Sequence, residues 1–127
     1  MWKADKTAEF DKRLRKWPKK HRRELGALID NLDTVFESFK CGLRAEQVKK
    51  LGCVHGTYPL GIISIDQRGG GGGLKESRLY AYPDEDERVL YQLTIGDKDS
   101  QQSDVTFCIE WVTSHLQQKA ENKEQGK

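Results

Sequence analysis

The sequence predicts an α+β domain in which an N-terminal helical hairpin packs on a small antiparallel sheet of three or more strands, followed by a C-terminal helix. Three observations support this fold class. An apolar stripe with helical period runs through residues 25–39, β-type segments occupy 58–95, and helical period returns after Val105. Helices grouped before an antiparallel sheet are typical of α+β domains, and we expect the helices on one face of the sheet.

Two helices are predicted near the start of the chain, after residues 2–6, which form either a short edge strand or an unstructured start. Thr7 can cap a helix over residues 7–17, because its hydroxyl oxygen can accept from the free amides of a first turn. Pro18 ends this helix or begins the next, since it lacks an amide hydrogen and restricts the residue before it. The second helix is predicted over residues 18–40, with Gly42 as its C′ residue, and the hairpin has a basic outer face.

Three strands are predicted over residues 58–66, 78–82 and 88–95, and their spacing indicates an antiparallel meander. A short helical or irregular connector over residues 43–51 leads from the helices to this sheet. Five consecutive glycines, at 69–73, separate the first two strands. No Walker spacing and no GKS or GKT sequence follows them, so a flexible hairpin tip is favoured over a phosphate-binding loop.

The third strand leads through the turn at 96–99 into the C-terminal helix. Asp99, Ser100 and Ser103 are alternative N-caps for this helix. Lys98 lies where the strand ends and the helix begins, so it either binds an anion there or is a solvated turn lysine. We expect a single domain over residues 1–118 and a disordered polar tail over 119–127.

Composition and charge argue against several classes of protein. No run of about 18 apolar residues could cross a membrane, and no apolar signal segment follows Met1. The three cysteines lack CxxC spacing, which argues against a zinc site and favours reduced thiols in a cytoplasmic protein. The net charge is only +2, but the window 12–23 contains eight Lys or Arg residues and no acidic residue. Such a window binds nucleic acid, faces an acidic protein partner, or is a solvated helix face.

Four segments carry a family resemblance. They read FDKRLRKWPKKHRRELGALIDNL, VKKLGCVHGTYPLGIISI, RLYAYPDEDERVLYQLTI and GDKDSQQSDV. In order and spacing they are similar to the helical hairpin, the segment entering the first long strand, the central strand pair and the turn before the last helix of the RelE/ParE toxin superfamily. The chain resembles the HigB-like members in particular, over residues 7–116.

The resemblance implies a small cytoplasmic toxin of a type II toxin–antitoxin system, neutralised by a cognate antitoxin protein. RelE-like members enter the ribosomal A site and cut mRNA without a metal ion or cofactor. ParE-like members instead inhibit DNA gyrase, and a non-toxic binding protein of the same fold is a third alternative. We expect a ribosome-dependent mRNA endonuclease.

The cutting chemistry requires a group that removes a proton from the ribose 2′-hydroxyl, cations for the phosphate, and a donor to the leaving oxygen. Arg78 and Lys98 match basic residues of the family and are expected to bind the phosphate. The other candidate catalytic residues are His55, Tyr80 and Tyr91. His55 is a candidate acid or base, or else an exposed loop histidine. Tyr80 and Tyr82 either stack on bases or form a half-buried sheet face.

Basic side chains in the helical part of the chain and in the connecting loops are expected to bind the nucleic acid backbone. They are Lys12, Arg15, Lys16, Lys19, Lys20, Arg22, Arg23, Lys49, Lys50 and Arg68. No residue is predicted to bind a metal ion.

Overall fold

One five-stranded sheet organises the computed structural model of the chain, which describes residues 1–125. In chain order the elements are β1 (Lys3–Lys6), α1 (Ala8–Arg15), α2 (Arg22–Lys40), α3 (Ala45–Val48), β2 (Val54–His55), β3 (Ile63–Asp66), β4 (Ser77–Asp84), β5 (Val89–Asp97) and α4 (Gln101–Gln125). Short 3₁₀ turns at Lys19–His21 and Pro59–Gly61 precede α2 and β3. Within the described residues, no helix combines the length and apolar character needed to cross a membrane.

The strand order in the sheet is β1-β5-β4-β3-β2. Strands β2 to β5 are antiparallel neighbours, so the predicted meander is present, whereas β1 lies parallel to β5 at one edge. Residues 3–6 are therefore an edge strand rather than an unstructured start. The sheet is larger than the three predicted strands because β1 and β2 add one strand at each edge.

Helices cover both faces of the sheet. On one face, α2 packs through residues such as Leu28 against Leu79 of β4. On the other face, Cys108 and Val112 of α4 pack against Tyr80. Successive strand residues point to opposite faces, which explains why adjacent residues of β4 belong to different clusters. The expectation that all helices lie on one face is therefore wrong, because α4 buries the apolar face that α1 and α2 leave uncovered.

Thr7 caps α1 as predicted. Its Oγ1 accepts from the amide of Phe10 at 3.0 Å and donates to the carbonyl of Leu93 at 2.6 Å. The second helix begins later than predicted, because a 3₁₀ turn follows Pro18 and α2 starts at Arg22. Helix α1 lies mainly on β5, while α2 lies on β3 and β4. A hairpin in which the two helices pack on each other therefore stays a prediction.

Helix α4 is longer than the predicted C-terminal helix. It continues through residues 119–125, for which the sequence predicts disorder, while residues 126–127 of the same tail lie outside the described part of the chain. Lys119 anchors this extension, because its Nζ lies 2.8 Å from Oδ2 of Asp84 in β4. The two residues are 35 positions apart, so local sequence patterns do not reveal the contact.

Candidate functional site

A polar patch lies where β2, β3 and β4 run side by side, on the face of the sheet that α4 also covers. It consists of His55, Tyr58, Ser64, Asp66 and Arg78, and we call it the Ser64 patch. The antiparallel register brings its members together, because Ser64 pairs with His55 of β2 and Asp66 pairs with Arg78 of β4. Residues two apart on a strand share a face, so Ser64 and Asp66 point the same way.

Tyr58 reaches the Ser64 patch from outside the strands. It directly precedes the Pro59–Gly61 turn, in which Leu60 adopts a left-handed φ of 62°. This turn interrupts the strand predicted over residues 58–66, so β3 begins only at Ile63. The Tyr58 hydroxyl then lies 3.1 Å from Ser64 Oγ.

Two charged pairs complete the patch. Arg78 donates from Nη1 to Ser64 Oγ at 3.3 Å and from Nη2 to Glu76 Oε1 at 3.1 Å. Burial would lower the pKa of Arg78, but the hydrogen bond to Glu76, the charge of Glu76 and the nearby phenols of Tyr58 and Tyr80 together raise it, so the guanidinium is held charged. His55 Nε2 lies 2.8 Å from Asp66 Oδ2, and this bond fixes the orientation of the imidazole.

The ionisable side chains of the patch are partly exposed, whereas Ser64 at its centre is completely buried. The His55 side chain is 34% exposed and that of Arg78 is 18% exposed. A fixed cation beside an imidazole and a phenol can bind a phosphate and transfer protons to and from its ester oxygens. Two of the five predicted catalytic residues, His55 and Arg78, are thus brought to one surface.

Tyr80 lies beside the patch but inside the core. Its side chain is completely buried against α4, in one cluster with Ile62 and Cys108. Its hydroxyl has no hydrogen-bond partner among the described residues. Burial raises the pKa of the Tyr80 phenol far above its ordinary value. In this arrangement the ring cannot stack on a base, so Tyr80 is a buried neighbour of Arg78 rather than a surface residue.

Tyr91 belongs to a separate cluster at the opposite end of β4 and β5. It pairs in register with Tyr82, whereas Arg78 pairs with Gly96. The Tyr91 hydroxyl donates to Glu87 at 3.0 Å, and burial together with this bond raises its pKa well above the ordinary value. The chain does not bring Tyr91 to the Ser64 patch.

The same cluster contains His115 of α4, and we call it the His115 cluster. His115 Nε2 lies 2.9 Å from Asp84 Oδ2 and 3.4 Å from Glu87 Oε1. The ligand atoms of these three residues lie within 4.8 Å of one another, a grouping that could hold a metal ion. Lys119 Nζ, however, lies 3.0 and 2.8 Å from the two Asp84 oxygens. The protein therefore supplies its own cation, and the cluster binds α4 to the β4–β5 turn.

Lys98 lies outside the Ser64 patch. It is exposed in the turn between β5 and α4. Because Arg78 pairs with Gly96, Lys98 and Arg78 lie at the same end of the sheet. Arg78 bonds to Ser64 and Glu76, whereas among the described residues the Lys98 side chain forms no hydrogen bond or ion pair, so the two cations share an end of the sheet without sharing a partner.

The basic residues of the α1–α2 region form an exposed, unpaired surface that we call the basic segment. It consists of Lys12, Arg15, Lys16, Lys19, Lys20, Arg22 and Arg23, all of which are exposed. Within the part of the chain that the structure describes, none of the seven forms an ion pair with an acidic side chain within 4.0 Å. Lys20 lines a cleft together with Ser77 and Asp97, so the basic segment adjoins the end of the sheet that carries Arg78 and Lys98.

The other three predicted nucleic-acid-binding residues flank β2 and β3. Lys50 and Arg68 are exposed, whereas Lys49 is half-buried and lies 3.4 Å from Glu46. The Arg68 amide donates to Asp66 Oδ1 at 2.9 Å, which places this residue next to the Ser64 patch. Arg68 therefore adjoins the patch through its backbone, whereas its guanidinium reaches toward Gly52, with Nη1 3.5 Å from the position of a Cβ atom on that glycine.

Three members of the Ser64 patch are not among the sequence candidates. The sequence predicts Ser64 and Asp66 only as strand residues, and Tyr58 only as the first residue of that strand. A predicted hairpin that paired residue 54 with residue 65 would have placed His55 opposite Ser64. It would thereby have identified the residues around Ser64 as candidates. The sequence lacks this signal because β2 has only two residues.

Two comparisons with known proteins gave no match. No protein-family model matches the sequence, and no curated protein is significantly similar to it. The resemblance to RelE/ParE toxins therefore stays a prediction from the sequence motifs.

Proposed function

We propose that the protein is a toxin of the RelE/ParE type that cuts mRNA on the ribosome without a metal ion and is neutralised by an antitoxin. The observation that carries this proposal is the Ser64 patch, in which Arg78 and Tyr58 bond to the Ser64 hydroxyl and His55, oriented by Asp66, lies opposite Ser64 in the sheet register. The basic segment supports it, because unpaired exposed cations attract the phosphate backbone of RNA.

In the proposed reaction, the ribose 2′-oxygen attacks the adjacent phosphorus while the bond from phosphorus to the 5′-oxygen breaks. The products are a 2′,3′-cyclic phosphate and a 5′-hydroxyl. His55 takes the proton of the 2′-hydroxyl at Nδ1, since its Nε2 is engaged by Asp66. Arg78 neutralises the charge that develops on the phosphate oxygens, and Tyr58 gives a proton to the leaving 5′-oxygen.

A non-enzymatic role is the second candidate, as a gyrase inhibitor or a non-toxic binding protein. One observation favours it: Tyr80, Tyr91 and Lys98 do not join His55 and Arg78 in one contact network. A binding protein needs no such convergence, because its surface need only be complementary to a partner.

The test is expression of the chain and of two single variants, followed by primer extension on a reporter message. We expect growth arrest and new 5′ ends with the unmodified chain, and at least about 100-fold less cleavage with Arg78→Ala or His55→Gln. Arg44→Ala is the matched control, because it removes an equally charged side chain that is 81% exposed and lies outside the patch.

Intact transcripts throughout growth arrest would contradict the endonuclease. Filamentation and DNA damage with normal translation would support gyrase inhibition instead. Harmless overexpression with intact message would identify a non-toxic binding protein.

A further inference from the structure

A small cleft lies at the end of the sheet, between the α1–α2 connection and the start of β4. It encloses about 200 Å³, and its lining includes Trp17, Pro18, Lys20, Lys75, Ser77 and Asp97. Ligand pockets for drug-sized molecules are about 300–1,000 Å³. The cleft is thus suited to a single planar ring rather than to a whole nucleotide cofactor.

The cleft and the Ser64 patch are neighbours on opposite faces of the sheet. Ser77 lines the cleft and Arg78 belongs to the patch, and consecutive strand residues point to opposite faces. Lys98 is exposed in the turn that follows Asp97, at the same end of the sheet. A single-stranded nucleic acid that passes around this end meets the cleft, then Lys98, then the Ser64 patch.

The lining of the cleft combines the aromatic side chain of Trp17, which also packs against the core, with the cations Lys20 and Lys75. The Trp17 indole is partly buried, and its Nε1 donates to the carbonyl of His21 at 2.9 Å, so the ring is held in one orientation. Lys20 is exposed and belongs to the unpaired basic segment. Lys75 lies 3.1 Å from Asp97 Oδ2, which balances the charge inside the cleft.

We propose that this cleft holds one base of a single-stranded RNA, stacked on Trp17, with Lys20 on a neighbouring phosphate. The proposal rests on the proposed function only in taking RNA as the ligand. Aromatic rings beside a cationic track are the usual means of binding single strands without strict sequence preference, because every base has a stacking face. The basic segment supplies that track, because Lys20 belongs to it and lines the cleft.

The first experiment measures binding of a fluorescein-labelled ten-nucleotide RNA by anisotropy at fixed salt, with 2′-O-methyl sugars so that it cannot be cut. We expect Trp17→Leu to weaken binding about 5- to 100-fold, the usual effect of removing one aromatic ring that stacks on a base. Trp17→Phe is the matched control and is expected to stay within about threefold of the unmodified chain, because it keeps an aromatic face. Thermal unfolding verifies that both variants are folded.

The second experiment is carried out first on the unmodified protein, so its first result does not depend on the folding of any variant. Each base of the ten-nucleotide RNA is replaced in turn by an abasic residue, with the label at one fixed end. To hold the strand in one register, the RNA is extended by a short duplex at that end. One position is expected to weaken binding far more than the others, and in Trp17→Leu the same substitution is expected to have no further effect.

Equal affinity of Trp17→Leu and the unmodified chain, or an abasic series without a Trp17-dependent position, would overturn the cleft proposal. Tight, Trp17-dependent binding without any message cleavage in cells would reject the endonuclease and keep the cleft. Cleavage in cells without Trp17-dependent binding would reject the cleft proposal and keep the endonuclease. The two proposals can therefore fail independently of each other. Absence of RNA binding in the intact protein would overturn the cleft proposal as well.

Discussion

Asp84 shows how one buried charge can be stabilised in this chain. Its side chain is 2% exposed, and it accepts hydrogen bonds from His115, Lys119 and the amide of Glu87. Burial alone would raise the pKa of this carboxyl, but the bonds from Lys119 and His115 hold it well below its usual range. Asp84 is therefore charged at neutral pH and fastens α4 to the end of β4.

Asp84→Asn is expected to lower the free energy of unfolding at pH 7 by about 2–4 kcal/mol, because it leaves the partners of a buried charge without their counter-ion. A carboxyl whose pKa is lowered in the folded state stabilises the protein above its unfolded pKa of about 3.9, and this contribution is lost as the pH falls further. The difference between variant and unmodified chain should therefore be constant above about pH 5 and shrink below about pH 4. Urea unfolding at several pH values measures it.

Asp86→Asn is the matched control for this experiment. Asp86 is in the same acidic turn and also faces Lys119, at 3.6 Å, but its side chain is 88% exposed. We expect an effect within about 0.5 kcal/mol, because exposed ion pairs contribute little. An equal loss of stability in both variants would show that burial of Asp84 is not the cause.

Tyr80→Phe tests whether the buried tyrosine acts independently of the Ser64 patch. The phenolic oxygen of Tyr80 has no hydrogen-bond partner among the described residues, so its removal is expected to leave the free energy of unfolding unchanged or raise it by up to about 1 kcal/mol. RNA cleavage should also be unchanged. Tyr58→Phe, which removes a hydroxyl from the patch, is expected to reduce cleavage at least about tenfold. A cleavage defect in Tyr80→Phe would contradict its assignment to the core.

At the residue scale, local chemistry was predictable and long-range pairing was not. The Thr7 cap followed from its position before a helical pattern, because its partner Phe10 is only three residues away. The bond between His55 and Asp66 depends on the register of β2 on β3, and a two-residue strand has too little pattern to specify a register. Arg78 was found only through the family resemblance.

At the scale of single elements, the junction of β5 and α4 depends on Gly96. Asp104 of α4 is 1% exposed and accepts from the hydroxyl of Ser100 at 2.7 Å, while Arg13 of α1 lies 3.2 Å from its Oδ1. A Cβ atom on Gly96 would collide with Asp104 Oδ2 and Ser100 Oγ. The absence of a side chain at Gly96 thus allows α4 to begin against the sheet.

Gly96→Ala is expected to destabilise the protein by about 1–3 kcal/mol, because the buried Asp104 side chain and the Ser100 hydroxyl must move away from the added Cβ and weaken the contacts that they make at the start of α4. Gly72→Ala is the matched control: no atom lies within 4 Å of the added Cβ, and the residue does not have positive φ. Its effect should be within about 0.5 kcal/mol. Thermal or urea unfolding compares the two, and equal stability would contradict the steric account.

Periodicity predicted the long elements and missed the short ones. The stripe that includes Leu28, Leu32 and Val35 gave α2, and these three side chains are fully or almost fully buried. Strands β1 and β2 have four and two residues, and all four residues of β1 are exposed, so neither carries an apolar alternation. The sequence could not predict that α4 covers the opposite face, because this depends on which strand residues α2 leaves uncovered.

At the scale of the whole molecule, charge is separated between surfaces although the net charge is only +2. The basic segment contributes seven unpaired cations near one end of the sheet. The acidic turn with Asp84, Asp86 and Glu87 lies at the opposite end of β4. Because of this separation, we expect the basic end of the protein to face an approaching polyanion.

Replacing Lys19, Arg22 and Arg23 together by Gln is expected to weaken RNA binding and to reduce the slope of log K against log salt by about 0.7 for each phosphate that is no longer neutralised. Anisotropy titrations between about 50 and 200 mM salt measure this slope. The triple variant Lys40→Gln, Arg44→Gln, Lys123→Gln removes the same net charge from other exposed positions. If the slope falls equally in both triple variants, the basic segment is not the binding surface.

The parallel pairing of β1 with β5 makes the start of the chain depend on a strand that is synthesised much later. Thr7 bonds to Leu93, 86 residues further along, and α1 rests on the same late strand. A growing polypeptide that stops before β5 leaves the first strand and first helix without their neighbour, and such distant contacts form only after the intervening chain exists. Translation products that stop before β5 therefore lack the completed sheet, and any activity that requires this sheet needs a chain that extends at least through β5.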